Sequence, residues 1–192
     1  MILVSVHPFE LRKILLLVAG ILCFVVFPCL AEPVMVSVPA TPYDRQMSRI
    51  QPVLASKPQA SKDTLSLALV NSWIQGLREI PYGFSPQWKT PDEVALAPVA
   101  DCKGKAVALY QKMHAYGANN VRLVIGKRTP MSRKTHAWLE WTTSGNTYVL
   151  DPTINWSAYR TAQVAGDNYR PLYAYSGSHK YRAVDATLVA KN

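Results

Sequence analysis

The stretch from Asp101 to Asp151 constrains this chain most, because its apolar spacing changes once, from helix to strand, with a single thiol at the helix start. Asp101-Cys102-Lys103-Gly104-Lys105-Ala106 follows a loop rich in Pro and Ala, and Asp101 is placed to cap a helix over residues 103–116. Ala106, Leu109, Tyr110, Met113 and Tyr116 make one apolar stripe, and Gly117 supplies the stop. A strand at 121–125 and a polar loop at 126–134 follow. Two further strands, 135–141 and 147–151, then form a hairpin through Thr143-Ser144-Gly145-Asn146. With those four residues as the turn, Thr142 opposes Thr147 and His136 opposes Thr153, leaving Asp151 on the diagonal of the same face. A two-residue turn at Thr143-Ser144 opposes His136 and Asp151 directly, whereas a three-residue loop separates them unless a bulge intervenes. The pattern permits the contact without dictating it.

Cys102, His136 and Asp151 are, in that order, the parts of a thiol nucleophile, its base and the base's orienter. The thiol sits at a helix N-terminus, where unpaired backbone N–H groups and the macrodipole stabilise an anion. Gly104, one turn in, costs the helix about 1 kcal/mol relative to Ala. It either admits another backbone or a substrate, or reflects a loosely designed helix. His114 lies three turns from Cys102, about 18 Å along the helix and out of reach. His179 falls in Ser176-Gly177-Ser178-His179-Lys180, a loop composition. One cysteine and one strand histidine lack the paired spacing of a zinc site, so no metal or other cofactor is expected.

Residues 14–27 are an almost unbroken apolar run after Arg12 and Lys13, and the small residues Cys29 and Ala31 follow. This reads as a secretory signal, residues 1–31, cleaved after Ala31. The run is short for a membrane span of about 20 residues, so contact with a membrane is expected only if the segment stays uncleaved. Neither Cys23 nor Cys29 is preceded by the small residue a lipoprotein site requires. Both leave with the signal, Cys102 remains alone, and no internal disulfide can form. A lone cysteine is often a small buried apolar residue. Against that stand the hazard of an unpaired thiol in an oxidising compartment and the polar neighbours Lys103, Gly104 and Lys105, which are not expected in a core.

Lys and Arg number 21 and Asp and Glu 12; without residues 1–31, which hold Arg12, Lys13 and Glu10, they number 19 and 11, or +8. Such a surface favours anionic partners, among them a cell-surface polymer. No basic run with interleaved aromatics points to nucleic acid. Residues 32–62 carry Pro33, Pro39, Pro42, Pro52 and Pro58 and read as an extended arm or linker without chemistry. From residue 63 the remaining chain, 63–192, reads as the catalytic domain. Leu65, Leu69, Trp73, Leu77 and Ile80 give a helix over 64–78, capped by Asp63 or Thr64 and stopped by Pro81. Residues 82–100 read as a loop wrapped towards the cysteine.

Asp101-Cys102, Gly126, His136-Ala137-Trp138-Leu139-Glu140 and Leu150-Asp151-Pro152-Thr153 resemble, in wording and spacing, the transglutaminase-like core of papain-type cysteine enzymes. Val70-Asn71, Ile80-Pro81-Tyr82, Thr90-Pro91-Asp92-Glu93 and Arg170-Pro171-Leu172-Tyr173 extend the likeness to the bacterial transglutaminase-like cysteine proteinases. The resemblance covers about residues 65–181. It implies an α+β fold with the cysteine helix packed on an antiparallel sheet, and the nucleophile, base and orienter roles for Cys102, His136 and Asp151. Members that clip large surface adhesins carry an acidic residue directly after the cysteine, linked to calcium. Lys103 stands there in this chain, which argues against a calcium requirement and against the adhesin-clipping role.

The expectation is an exported thiol hydrolase, periplasmic or secreted, that cleaves an amide bond in a protein or peptide at the bacterial cell envelope through a thioester. The backbone N–H of Cys102 is the first oxyanion donor, with Gln87 or Trp88 as side-chain candidates. A protein cross-linking acyltransferase, or a non-catalytic binding module for an anionic surface polymer, are the alternatives.

Overall fold

The computed structural model describes residues 33–59, 65–164 and 168–184. The segment read as a signal, and Asp63 and Thr64 read as helix caps, lie outside them. The architecture is α+β. Among the described residues seven strands form one antiparallel sheet: β1 (Val34–Ser37), β2 (Val121–Lys127), β3 (His136–Thr143), β4 (Asn146–Leu150), β5 (Tyr159–Arg160), β6 (Arg170–Ser176) and β7 (His179–Val184). They lie in the order β1-β7-β6-β2-β3-β4-β5, so the central strands β2 and β3 are paired on both sides.

Three helices carry most of the helical residues: α1 (Leu67–Glu79), α2 (Pro91–Leu96) and α3 (Cys102–Ala115). Helix α3 begins where the sequence places it. Asp101 has an extended backbone, its Oδ1 accepts from the Gly104 N–H at 3.1 Å, and Gly117, at φ +78°, ends the helix in the left-handed region. The helix is enclosed on more than the expected stripe: Val107 and Ala108 are buried along with Ala106, Leu109, Tyr110 and Met113. Tyr116, counted in that stripe, is instead 42 % exposed at the helix end, with its ring edge-on to Trp73. Strands β2 and β3 contribute Leu123, Ile125 and Leu139 to the core around α3, while the alternate residues Val124 and Trp138 face a smaller cluster on the other side of the sheet.

Helix α1 starts three residues later than the sequence suggests, because Ser66, with its hydroxyl accepting from the Leu69 N–H at 3.2 Å, supplies the cap. Its most buried line is Val70, Ile74 and Leu77, flanked by the half-buried Leu65, Trp73 and Ile80. The expected loop over 82–100 contains helix α2, whose start is a capping box: Thr90 accepts from the Glu93 N–H and Glu93 accepts from the Thr90 N–H.

The expected arm is part of the fold rather than a linker. Val34–Ser37 pairs with β7 as an edge strand, Val34 opposite Val184. Helical turns over Asp44–Met47, Ser48–Ile50 and Gln51–Leu54 then bury Met47, Ile50 and Leu54 completely. Pro52 sits in the first turn of its helix, where a missing N–H costs nothing. The Tyr110 hydroxyl donates to the Leu54 carbonyl at 3.2 Å and ties this segment to α3.

The β3–β4 hairpin takes the register in which Thr142 opposes Thr147. Ser144 and Gly145 form its tip with φ +48° and +73°, the positive pair of a type I′ turn.

Candidate active site

Cys102 is the first residue of α3, at 8 % exposure. Asp101 before it is buried and engaged through both oxygens: Oδ1 accepts from the Gly104 N–H, and Oδ2 accepts from the Ser85 N–H at 3.2 Å and from the Lys103 ammonium. Lys103 Nζ also donates to the Ser85 carbonyl at 2.9 Å. One loop and one helix start are thereby pinned together beside the thiol. The preceding strip is equally tight, since Tyr82 bridges to Ala100 and a Cβ on Gly83 would strike Val99. Tyr82 stands beside this cluster; burial and the negative charges of Cys102 and Asp101 raise its hydroxyl pKa.

Gly104 belongs to the same junction. A Cβ there would come within 2.9 Å of Val94 Cγ2, so the missing side chain admits helix α2 rather than a substrate or another backbone. Lys105 corrects a second expectation. Only 2 % exposed, it is a core residue whose Nζ donates to the Ile80 carbonyl at 2.6 Å, at the end of α1. Burial, followed by the Arg78 charge, lowers its pKa, with Asp151 opposing. A lysine can be buried here because the carbonyls left over at a helix C-terminus receive its protons.

His136 opens β3 opposite Gly126. A Cβ on Gly126 would collide with the Arg170 carbonyl and with the Trp138 ring, and the β2–β6 register shifts at this residue. The bare glycine lets β6 and Trp138 close in beneath His136, and the His136 and Trp138 rings stack at 6.2 Å between centroids. His136 Nε2 lies 2.7 Å from Asp151 Oδ2. The hairpin register puts His136 on the line of Thr153, so the contact runs along the diagonal the four-residue turn allows.

The other polar neighbour of the ring is the Cys102 side chain, which favours the charged form of the imidazole. With Nε2 on Asp151, Nδ1 is the ring nitrogen that remains for proton exchange. His136 and Asp151 are thus in direct hydrogen-bond contact, and Cys102 is near enough to the ring to bear on its charge. Burial disfavours the charged imidazole, yet the hydrogen bond to Asp151 and the Cys102 side chain outweigh it and push the His136 pKa up to about 9. Asp151 is fully buried; burial raises its pKa, but the His136 hydrogen bond and charge, with the Thr153 N–H, bring it below the usual carboxylate value.

Asp151 has two further supports that nothing in the sequence pattern singled out. Its Oδ1 accepts from the backbone N–H groups of Thr153 and Ile154 at 3.0 and 3.3 Å, and its Oδ2 accepts from the Tyr169 hydroxyl at 2.9 Å. Of the side-chain oxyanion candidates, Gln87 accepts on its amide oxygen from the Arg49 guanidinium at 3.0 Å on an exposed face. Trp88 is buried in the main core, and its indole N–H has no partner among the described residues.

The competing histidines lie elsewhere. His114 is buried near the far end of α3, with Nδ1 3.0 Å from the Ser56 carbonyl, and burial lowers its pKa. His179 is not in a loop but starts β7, opposite Ser176. Both line a cleft of about 350 Å³ that includes none of Cys102, His136 and Asp151. Among the described residues no group of three or more His, Cys, Asp or Glu side chains could hold a metal ion. Asp101 beside the thiol already has both oxygens engaged, so these residues do not fit a calcium site. No helix of the described residues is long and apolar enough to cross a membrane.

Neither a protein-family model nor a curated protein sequence matches the chain. Among solved structures it is similar to LapG of Legionella pneumophila, with a TM-score of 0.54 at 15% identity over 79% of this chain and 85% of LapG. An EGTA-treated LapG gives the same score and identity over 79% and 87%. A calcium-bound LapG gives them over 74% and 81%. The likeness is one of fold, the transglutaminase-like fold.

Proposed function

We propose that the chain is an exported thiol hydrolase that cleaves an amide bond in a protein or peptide of the cell envelope. The observation that carries this reading is the 2.7 Å hydrogen bond between His136 and the buried Asp151, with the Cys102 side chain beside the same imidazole. The transglutaminase-like fold supports it at the level of architecture.

The Cys102 thiolate attacks the substrate carbonyl carbon and a C–S bond forms. The oxyanion is met by the Cys102 backbone N–H, which has no acceptor inside the helix at this position. His136, as imidazolium, gives its proton to the leaving nitrogen as the C–N bond breaks, leaving a thioester and a free amine. A water then loses a proton to His136 and attacks the thioester; the C–S bond breaks, and the acid and the thiolate are released. Asp151 holds the ring orientation throughout and stabilises its charge. An amine in place of that water makes the same intermediate a cross-link, which is the second reading.

Incubating the native chain and Cys102→Ala with envelope proteins, and sequencing new N-termini by mass spectrometry, tests the reading. New termini made by the native chain and absent with the variant are expected. New isopeptide-linked products without new termini favour acyl transfer, and neither product favours a binding module. Export and removal of residues 1–31 are checked by the intact mass of the protein from its host.

A further inference from the structure

We propose that Tyr169 is a positioning residue of this site: by sharing Asp151 Oδ2 with His136, its hydroxyl sets how firmly the imidazolium keeps its proton. The inference rests on the Cys102–His136–Asp151 reading above. Asp151 Oδ2 accepts from His136 Nε2 at 2.7 Å and from Tyr169 Oη at 2.9 Å. Asn155 Nδ2 donates to Tyr169 Oη at 2.9 Å, which leaves the tyrosine proton free to point at the carboxylate.

Tyr169 is held in this pose against its backbone preference. Its φ is +57°, in the left-handed region that side chains rarely adopt. Its N–H donates to the Arg128 carbonyl at 3.0 Å, the Arg128 guanidinium covers one ring face at 4.3 Å, and Trp138 meets the ring edge-on at 5.2 Å. Burial, and then the Asp151 charge and hydrogen bond, raise the hydroxyl's own pKa, so the proton stays on the tyrosine.

An oxygen that accepts from two donors offers less to each. Losing the tyrosine proton leaves the imidazolium as the one side-chain donor on Oδ2 among the described residues, so His136 holds its proton more tightly and becomes a weaker acid towards the leaving amine. The other charged or titratable groups facing the pair are Cys102 and Lys105 from α3, with Arg128 behind the tyrosine ring.

The test uses the full chain labelled with ¹⁵N-histidine, with the His136 titration followed by NMR in the native protein, Tyr169→Phe and Asn155→Ala. Circular dichroism reports folding. The native midpoint is expected near 9. Tyr169→Phe should move it up by at least ~0.5 pH, and Asn155→Ala by less in the same direction. A purely structural tyrosine would change folding and leave the midpoint where it was. If the native midpoint is elevated and neither variant raises it, this inference alone is overturned. Should Tyr169→Phe fail to fold, an unmoved or lowered midpoint in Asn155→Ala overturns it. A native midpoint at the ordinary histidine value overturns both this inference and the thiol hydrolase reading.

Discussion

The ammonium of Lys103 folds back onto the carboxylate of Asp101, the residue that caps the helix whose first position is Cys102. The same carboxylate receives the Ser85 and Gly104 N–H groups. Asp101 therefore meets a fixed internal cation and two backbone donors, which occupy both oxygens and neutralise the charge a hard metal ion would need. Activity should survive chelation by EGTA, and millimolar calcium should leave the melting temperature unchanged. A rise of several degrees with calcium would show a bound ion and contradict this account of Asp101.

Lys105 is the cation that caps α1 from inside the core. Replacing it with Met keeps the length but leaves the Ile80 carbonyl buried without its donor. A loss of about 1–3 kcal/mol is expected, the desolvation cost of an orphaned polar group. Urea unfolding measures it. No loss would mean that the ammonium's own burial cost offsets its hydrogen bonds.

Gly126 must remain glycine. Ala at this position would force the Arg170 carbonyl and the Trp138 ring apart, and those two elements form the floor under His136. Gly126→Ala should cost about 1–3 kcal/mol, as overpacking does, and should slow alkylation of Cys102 in the protein that still folds. Unaltered stability and alkylation would show that β6 can move away freely.

His136 also links stability to pH. Its pKa is about 9 in the folded chain against 6.5 for the free side chain, so the folded state binds that proton more tightly. The stabilisation is complete below pH 6.5 and is lost as pH rises through about 9. His114, lowered by burial, acts in the opposite sense and only below pH 6.5. The melting temperature should fall between pH 6.5 and 9, and His136→Ala should remove most of that slope. An equal slope in the variant would assign it to other groups.

What the sequence disclosed depended on whether the cause was local. Asp101 and Gly117 bound α3 through their own backbone preferences, so the helix could be read in one dimension, whereas the hairpin was legible only as a turn near Gly145 with its register left open among three. The hairpin therefore permitted the His136–Asp151 contact without fixing it. Long-range causes were silent. Met47, Ile50 and Leu54 have helical spacing, but the prolines around them masked a segment that folds only because α3 and the sheet offer it a surface. Lys105 reads as a surface residue until the end of α1 is set against it. Tyr169 acquires its role from β6 bringing it to Asp151, which no spacing along the chain announces. Thr90 and Glu93, by contrast, form a capping box that was legible and passed over among the prolines of that loop.

The proposed function stands on Cys102 being a reactive nucleophile whose reactivity depends on His136. Iodoacetamide alkylation of the native fold, measured across pH beside His136→Ala, tests it without knowledge of the substrate. The account predicts fast alkylation at or below neutral pH in the native chain and a clear slowing in the variant, with both proteins folded. Alkylation of Cys102 only under denaturing conditions, or at the same rate with and without His136, would contradict it and leave the cysteine as a core residue.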